Sequence, residues 1–409
     1  MKKRVVVTGM EIISSIGIGI ESFWKSAIKG KSGINRIKNY NPTPYPTQIA
    51  GEIQDLPIID IPKFKNKNYY PKVTKYAIYC TQQAIKTSNL TIKELNQAGI
   101  FIGTSLGGLP ELESAYQTFY KINWKKIPAL SILKGMPNST ANHIAILFDI
   151  KGINSTTSNA CISSAEAIKN AYEQILYGNL NIAICGGSES LLWETIMASW
   201  CKLRIMSTQN TNPKKACKPF DINRDGMVIA DGAGILILEE LNHAKTRGAK
   251  IIAEIIGIGS SCDAYHITIP NSKGQEKAIS KAIKNAKINI SDIQYIHAHG
   301  TGTKLNDIIE TQTIKNIFGN KAYDIPITAQ KSMIGHTIGA SGVMQIIAII
   351  LSLKNNILLP TINLNNPDPK CDLDYIPNIM RKKNIHIALS NHFAFGGSNI
   401  AIILKKYYN

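Results

Sequence analysis

Acidic residues are scarce in this sequence: 28 Asp and Glu stand against 46 Lys and Arg, a formal net charge of +18. Such an excess argues about partners, not about fold. A nucleic-acid binder gathers its cations around a recognisable motif, and here they are spread along the chain without one. A membrane-surface protein offers a basic amphipathic helix, and none stands out. An acidic protein partner steered by a positive surface is left, beside plain compositional bias towards Lys, Ile and Asn.

Cysteine pairs are lacking as well. Cys80, Cys161, Cys185, Cys201, Cys217, Cys262 and Cys371 form no CxxC, which argues against a disulfide framework or a zinc site and for reduced thiols. The opening MKKRVVVTGM is basic but soon reads as a strand, without the apolar core and cleavage site of a signal peptide, so a cytoplasmic protein is expected. No apolar run is expected to reach membrane-spanning length, because Gln345, Ser352 and Lys354 interrupt the longest, near 346–353. A nucleotide-binding turn is missing too. Val5-Val-Val-Thr-Gly9 with Gly17 and Gly19 imitates one, but the G-x-G-x-x-G spacing fails and no acid closes a second strand. Nor is there the short-chain reductase pairing, a Tyr followed by a Lys four residues on, so a nicotinamide enzyme is disfavoured.

What is present is 409 residues, 44% hydrophobic, enough for one large fold or two fused halves. Apolar strand-like runs at 5–7, 100–103, 182–185 and 235–238 alternate with helical stretches, and runs at 251–257, 295–298, 325–329 and 387–391 repeat the alternation. Helices are expected over 22–29, 74–87, 164–176, 274–287, 307–318 and 339–353. No Gly/Ser-rich or Pro-rich linker separates the halves, which meet near 247–250 and are expected to pack into one body.

Four segments carry chemistry. Ser158-Asn-Ala-Cys161-Ile-Ser-Ser-Ala165 leads from a turn of small residues into a helix, where free N–H groups and the helix dipole favour a thiolate. Most cysteines in soluble proteins are inert core residues, and the other six fit that description. His297-Ala-His299-Gly-Thr-Gly-Thr303 ends a strand, at the sheet edge where α/β proteins bind ligands. A metal pair of His297 and His299 is conceivable but lacks a third ligand. Lys331-Ser-Met-Ile-Gly-His336 opens onto Gly339-Ala-Ser-Gly342, and Asn391-His-Phe-Ala-Phe395-Gly-Gly-Ser-Asn399 lets backbone approach a substrate closely.

Together these segments resemble the β-ketoacyl-acyl-carrier-protein synthases of the type I/II group, in the thiolase-like superfamily. Gly103-Thr-Ser-Leu-Gly-Gly-Leu109, Cys185-Gly-Gly-Ser-Glu189, Pro219-Phe-Asp221, Arg224-Asp-Gly226, Asp231-Gly-Ala-Gly234, Asp263-Ala-Tyr-His266, Pro360-Thr-Ile-Asn-Leu364 and Asn366-Pro-Asp368 extend the likeness over nearly the whole chain. The resemblance implies an α/β, thiolase-like five-layer α-β-α-β-α fold. Its duplicated halves would be 1–250, with Cys161, and 251–409, with His299, Lys331 and His336. It implies a dimer and no bound cofactor, the substrates riding on the phosphopantetheine of an acidic acyl carrier protein. Cys161 would take up the acyl chain, His299 and His336 would assist decarboxylation of malonyl-carrier protein, and Lys331 would organise the site. The backbone N–H groups of Cys161 and Phe395 would form the oxyanion hole. Thr301 and Thr303 would hold the pantetheine, with Phe393, Phe395, Leu106 and Trp200 around the substrate. Lys63, Lys65, Lys67, Lys72, Lys125, Lys126 and Arg204 fall where the family docks its carrier.

Some positions depart from a housekeeping fatty-acid enzyme. Gln345 stands where a glutamate usually accompanies the lysine, with Asp307 or Glu310 as substitutes for its charge. Glu11 replaces a glycine, Trp200 a phenylalanine, Ile162 a smaller residue, and Trp193-Glu194 a loop of smaller residues. Three readings follow: a homodimeric fatty-acid synthase, the ketosynthase subunit of a type II polyketide or polyene system paired with a homologous chain-length factor, or a non-catalytic chain-length-factor-like subunit. The last kind loses the nucleophile, and Cys161 is present.

Overall fold

The computed structural model describes residues 2–55, 59–61, 63 and 69–408. Its architecture follows from strands that are apolar without alternation. Every residue of Val5–Ser14 (β1) is buried, as is every residue of Gly99–Gly103 (β2), Ile182–Glu189 (β4) and Gly232–Glu240 (β5). Strands covered on both faces read this way, so layers of helices must lie above and below them. Asn154–Thr157 (β3), at the margin of the sheet, is polar and only half-buried. The longest helices of this part are Lys72–Ser88 (α1), Leu109–Lys121 (α2), Ser139–Phe148 (α3) and Ser163–Leu176 (α4), with shorter ones such as Ile20–Ala27 and Glu194–Lys202 between the strands.

The rest of the chain repeats the plan. Ala253–Cys262 (β6), Tyr295–His297 (β7), Ile327–Thr328 (β8), Ile387–Phe393 (β9) and Ser398–Lys406 (β10) alternate with Ser272–Ala286 (α5), Lys304–Phe318 (α6) and Ser341–Asn355 (α7). From the middle outward, one side runs β1-β5-β4-β2-β3 and the other β6-β10-β9-β7-β8. In each, the first two pairings are antiparallel and the last two parallel. The start of β1 pairs antiparallel with β6, which joins both sets into one sheet.

Three apolar cores define the layers. One lies between α1, α3 and the strands of the first half, and another between α5, α6 and those of the second. The largest surrounds α4 and α7, sandwiched between the two halves. α7 is apolar around its whole circumference, and the residues Ser341–Leu353 are all buried. Despite the interruptions at Gln345, Ser352 and Lys354, the 18 residues Ile338–Asn355 form a helical stretch long and apolar enough to cross a membrane by length and composition. With 89% of it buried inside the protein, it is accounted for as the central core helix. Gly342 lets α7 reach α4, since a Cβ there would stand 2.6 Å from the Ala165 nitrogen.

The strands and helices expected from the sequence all occur, several of them longer, while the strands expected at 295–298 and 325–329 are shorter and the helix expected at 22–29 begins at Ile20 and ends at Ala27. α2, α3, β3 and β10 were not anticipated, although β10 carries at 400–404 the same unbroken apolar run as the other doubly covered strands. Ile347 is fully buried in the central core. Ile347→Ala should therefore cost about 2–5 kcal/mol, seen as a lower denaturant midpoint with unchanged slope.

Candidate active site

The N-terminal ends of the two buried helices meet. α4 is preceded by the 3-10 turn Ala160–Ile162 and α7 by the 3-10 turn Ile338–Ala340. Each turn begins with a left-handed residue, Ala160 at φ 43° and Ile338 at φ 40°. For a β-branched isoleucine this is real strain, of the kind held at working sites. Cys161 sits at the middle of its turn, 5% exposed. Glu189, the last residue of β4, braces the junction: it accepts the N–H groups of Ser105 at 2.7 Å and Gly339 at 3.1 Å, and the Thr104 hydroxyl at 3.1 Å. A Cβ at residue 339 would lie 2.4 Å from the Glu189 carboxylate, so glycine is required there.

His299 and His336 face each other edge to face, ring centroids 5.5 Å apart. His336 accepts the Ile338 N–H at Nδ1 (3.2 Å), which places its proton on Nε2. Lys331 Nζ lies 3.5 Å from His299 Nδ1 and donates to the His299 carbonyl at 2.5 Å, leaving the His299 proton on Nε2 as well. Burial first, and the Lys331 ammonium second, hold both imidazoles well below the usual histidine range, so both are neutral donors. Lys331 also donates to Gln345 Oε1 at 2.9 Å. Its burial lowers it to about 8, against the raising influence of Glu310 and of Cys161. Glu310 itself is raised to about 7 by burial, while accepting the N–H groups of His299 (2.8 Å) and Gly300 (2.9 Å).

A cavity of about 220 Å³ opens over this group, lined by Cys161, His299, His336, Thr301, Thr303, Phe393 and Phe395, with His266 at its wall. The Thr301 and Thr303 hydroxyls are 2.9 Å apart. Their loop is pinned by buried Arg224, which donates to the carbonyls of Thr303 (3.2 Å) and Lys304 (2.9 Å) and pairs with Asp307 and Asp368. The backbone N–H groups of Phe395 and of Cys161 itself both act on the Cys161 thiol.

Residues 2–244 match the beta-ketoacyl synthase N-terminal domain, and residues 252–365 match its C-terminal domain. The chain belongs to the beta-ketoacyl synthase family. This ketosynthase is 38% identical over 99% of both chains to a 3-oxoacyl-[acyl-carrier-protein] synthase 2 of Synechocystis, and 35% identical over 100% of both to one of Coxiella burnetii. Among solved structures, a ketosynthase of a type II polyketide synthase, in complex with its acyl-carrier protein and bound to the hexaketide, superposes with TM-score 0.92. It is 31% identical and both chains are covered in full. The ishigamide ketosynthase/chain length factor gives 0.92 at 29% identity, again over the full length of both.

Several sequence expectations need correction in this ketosynthase. Cys161 is not lowered by its helix start: burial pushes it up to about 11, only partly opposed by the Lys331 ammonium and the Phe395 N–H, while Glu189 pushes it further up. Lys72 differs from the other docking candidates, since it is half-buried and its ammonium is paired with fully buried Asp231 at 2.9 Å. Lys63, Lys125, Lys126 and Arg204 are exposed, whereas Lys65 and Lys67 lie outside the described residues. Leu106 and Trp200 do not line the cavity. They pack in an apolar cluster with Cys161, Met197 and Ile338 behind it, and Trp200 stacks on Phe395 at 6.3 Å. Gln345 keeps contact with Lys331 through its amide, and Glu310 supplies the nearby negative charge.

His297 is separate from the cavity lining, with its Nδ1 3.2 Å from both the Gln345 Nε2 and the Ala298 carbonyl. Among the described residues no group of three His, Cys, Asp or Glu is arranged to hold a metal. Glu189 and Arg224 were visible in the sequence only as motif letters; an acid ending an otherwise apolar strand was the one available sign of the first.

His297 is held down at about 3, and His299, His336 and His392 lie well below the usual range, in each case chiefly through burial. Nitrogen NMR should find all four imidazoles neutral from pH 8 to pH 5; titration of His299 or His336 in that window would contradict this geometry.

Proposed function

We propose that this ketosynthase lengthens an acyl chain held on Cys161 by decarboxylative Claisen condensation with malonyl-acyl carrier protein. The observation that carries the reading is one cavity lined by a thiol and two neutral imidazoles that each keep a proton on Nε2. Cys161 attacks the acyl thioester, and the N–H groups of Cys161 and Phe395 hold the tetrahedral oxyanion until the carrier leaves as its thiol. A thiol raised to about 11 is a weak nucleophile at rest, so the ammonium of Lys331 and these two N–H groups are needed to favour the thiolate. Malonyl-carrier protein then enters with its pantetheine along Thr301 and Thr303. The imidazoles of His299 and His336 donate to its thioester oxygen. As the carboxylate departs as CO₂, the bonding electrons form an enolate, which attacks the Cys161 thioester and expels the thiolate. Neutral imidazoles suit this step, because they stabilise the enolate by hydrogen bonding without protonating its carbon.

The partner is an acidic carrier protein that meets Lys63, Lys125, Lys126 and Arg204. The protein works as a dimer in the cytoplasm, in fatty-acid or polyketide synthesis, without a resident cofactor; its seven cysteines are all free. Support for the dimer is a set of exposed large apolar side chains on and after α2, including Tyr116, Tyr120, Trp124 and Ile132, together with the unpaired outer edge of β3. The second subunit is a copy of this chain or a homologous chain-length factor, the arrangement named for the ishigamide neighbour. Whether the protein purifies alone distinguishes them.

Intact-mass measurement after adding acyl-carrier protein should show an acyl adduct, and malonyl-carrier protein should discharge it as a lengthened product. Cys161→Ala should abolish the adduct; an adduct that survives refutes the nucleophile. Lys125→Glu with Lys126→Glu should weaken carrier binding several-fold at low salt, with the difference shrinking as salt rises. Unchanged affinity at low salt would remove these lysines from the docking surface.

A further inference from the structure

Behind the catalytic wall lies a polar group that the reaction sequence leaves without a task. Gln345 points out of the otherwise apolar α7 and is fully buried. Its Nε2 donates to two carbonyls, those of Ala298 (3.1 Å) and Asn391 (3.2 Å), with His297 Nδ1 also 3.2 Å away. Those acceptors fix which way round the amide sits, so only Oε1 is left for the Lys331 ammonium, at 2.9 Å. The other hydrogen-bond partners of Lys331 are the carbonyl and Nδ1 of His299, which are also neutral.

The carboxylates near Lys331 are engaged elsewhere. Glu310, on α6, accepts from the His299 and Gly300 N–H groups and from Asn391. Asp307, on the same helix, accepts the Phe220 N–H and pairs with Arg224. From the remaining elements, Cys161 and Cys217 bear on the ammonium as groups that can become negative. The imidazoles of His297, His336 and His392 are buried and neutral around it.

We propose that Gln345 is a positioning residue that gives Lys331 neutral contacts only, so that the ammonium beside Cys161 and His299 can be discharged to solvent and the site switched by alkali. This rests on the condensation reading for its relevance to turnover, but not for its test. Loss of the Lys331 proton removes the charge that favours the Cys161 thiolate and weakens the hydrogen bond to the His299 carbonyl, which a neutral amine still makes. Lys331 is lowered to about 8 by its burial, which agrees with a neutral cage. A glutamate at 345 would hold that proton to higher pH. It would also set a carboxylate oxygen against the Ala298 and Asn391 carbonyls, so the surroundings are built for an amide.

The test is the pH dependence of Cys161 alkylation by iodoacetamide, read by mass in the full-length protein. While Lys331 stays charged, the rate should rise tenfold per pH unit. Once Lys331 discharges, each proton lost from the thiol is offset by one regained on the lysine, and the rate should level off. The native protein should level near pH 8 and Gln345→Glu at least one unit higher. Should that variant fail to fold, Gln345→Met, neutral and of similar size, removes an acceptor from Lys331 and should level at lower pH than the native protein. A bend at the same pH in native and variant, or none in the native protein, overturns the proposal; a purely structural role would scale the rate equally at every pH. Alkylation does not depend on turnover, so a protein that shows the bend yet makes no condensation product refutes the reaction and not the cage.

Discussion

The contact of α4 with α7 at Ala165 and Gly342 is the constraint on which the site depends. Each helix is buried between the two halves of the sheet, so neither can shift without opening the largest apolar core. Because Gly342 carries no side chain, the helices approach closely enough for their first turns to touch. The nucleophile enters on one turn and His336 lies two residues before the other. A single close packing contact therefore sets the spacing between residues more than 170 positions apart, to a precision that loops could not supply.

Burial then decides the electrostatics. Cys161, Lys331 and the histidines are all withdrawn from water, and for each of them burial is the first cause of its shift. The thiol is driven up, the ammonium and the imidazoles down, so every member is pushed towards its uncharged form. Two compensations keep charge available: an ammonium near the thiol, and Glu310 near the ammonium. The site is thus a set of neutral donors with one titratable cation among them.

Much of this was legible in the sequence because it was written in local pattern. Unbroken apolar runs marked the doubly covered strands, and small residues before Ser164 and after His336 marked the two helix starts. Fold class and the Cys161, His299, His336 set followed from those segments and the family likeness they carried. Quantities that depend on distant partners could not be read. Lys72 looked like any surface lysine until Asp231 was found against it. A thiol at a helix start suggested thiolate, but the depth of burial that reverses the sign is a property of the folded layers. Glu189 ties Ser105 to Gly339, in segments far apart along the chain, and nothing local announces it.

The repeated strand order has one more consequence. Cys161 and Gly339 occupy the middle of equivalent turns, each after a left-handed residue and each before a buried helix. A side chain at the second position would strike the carboxylate that braces the junction. A molecule with two matching cradles can thus arm only one of them, and the unarmed copy has become the keystone that holds its twin in place.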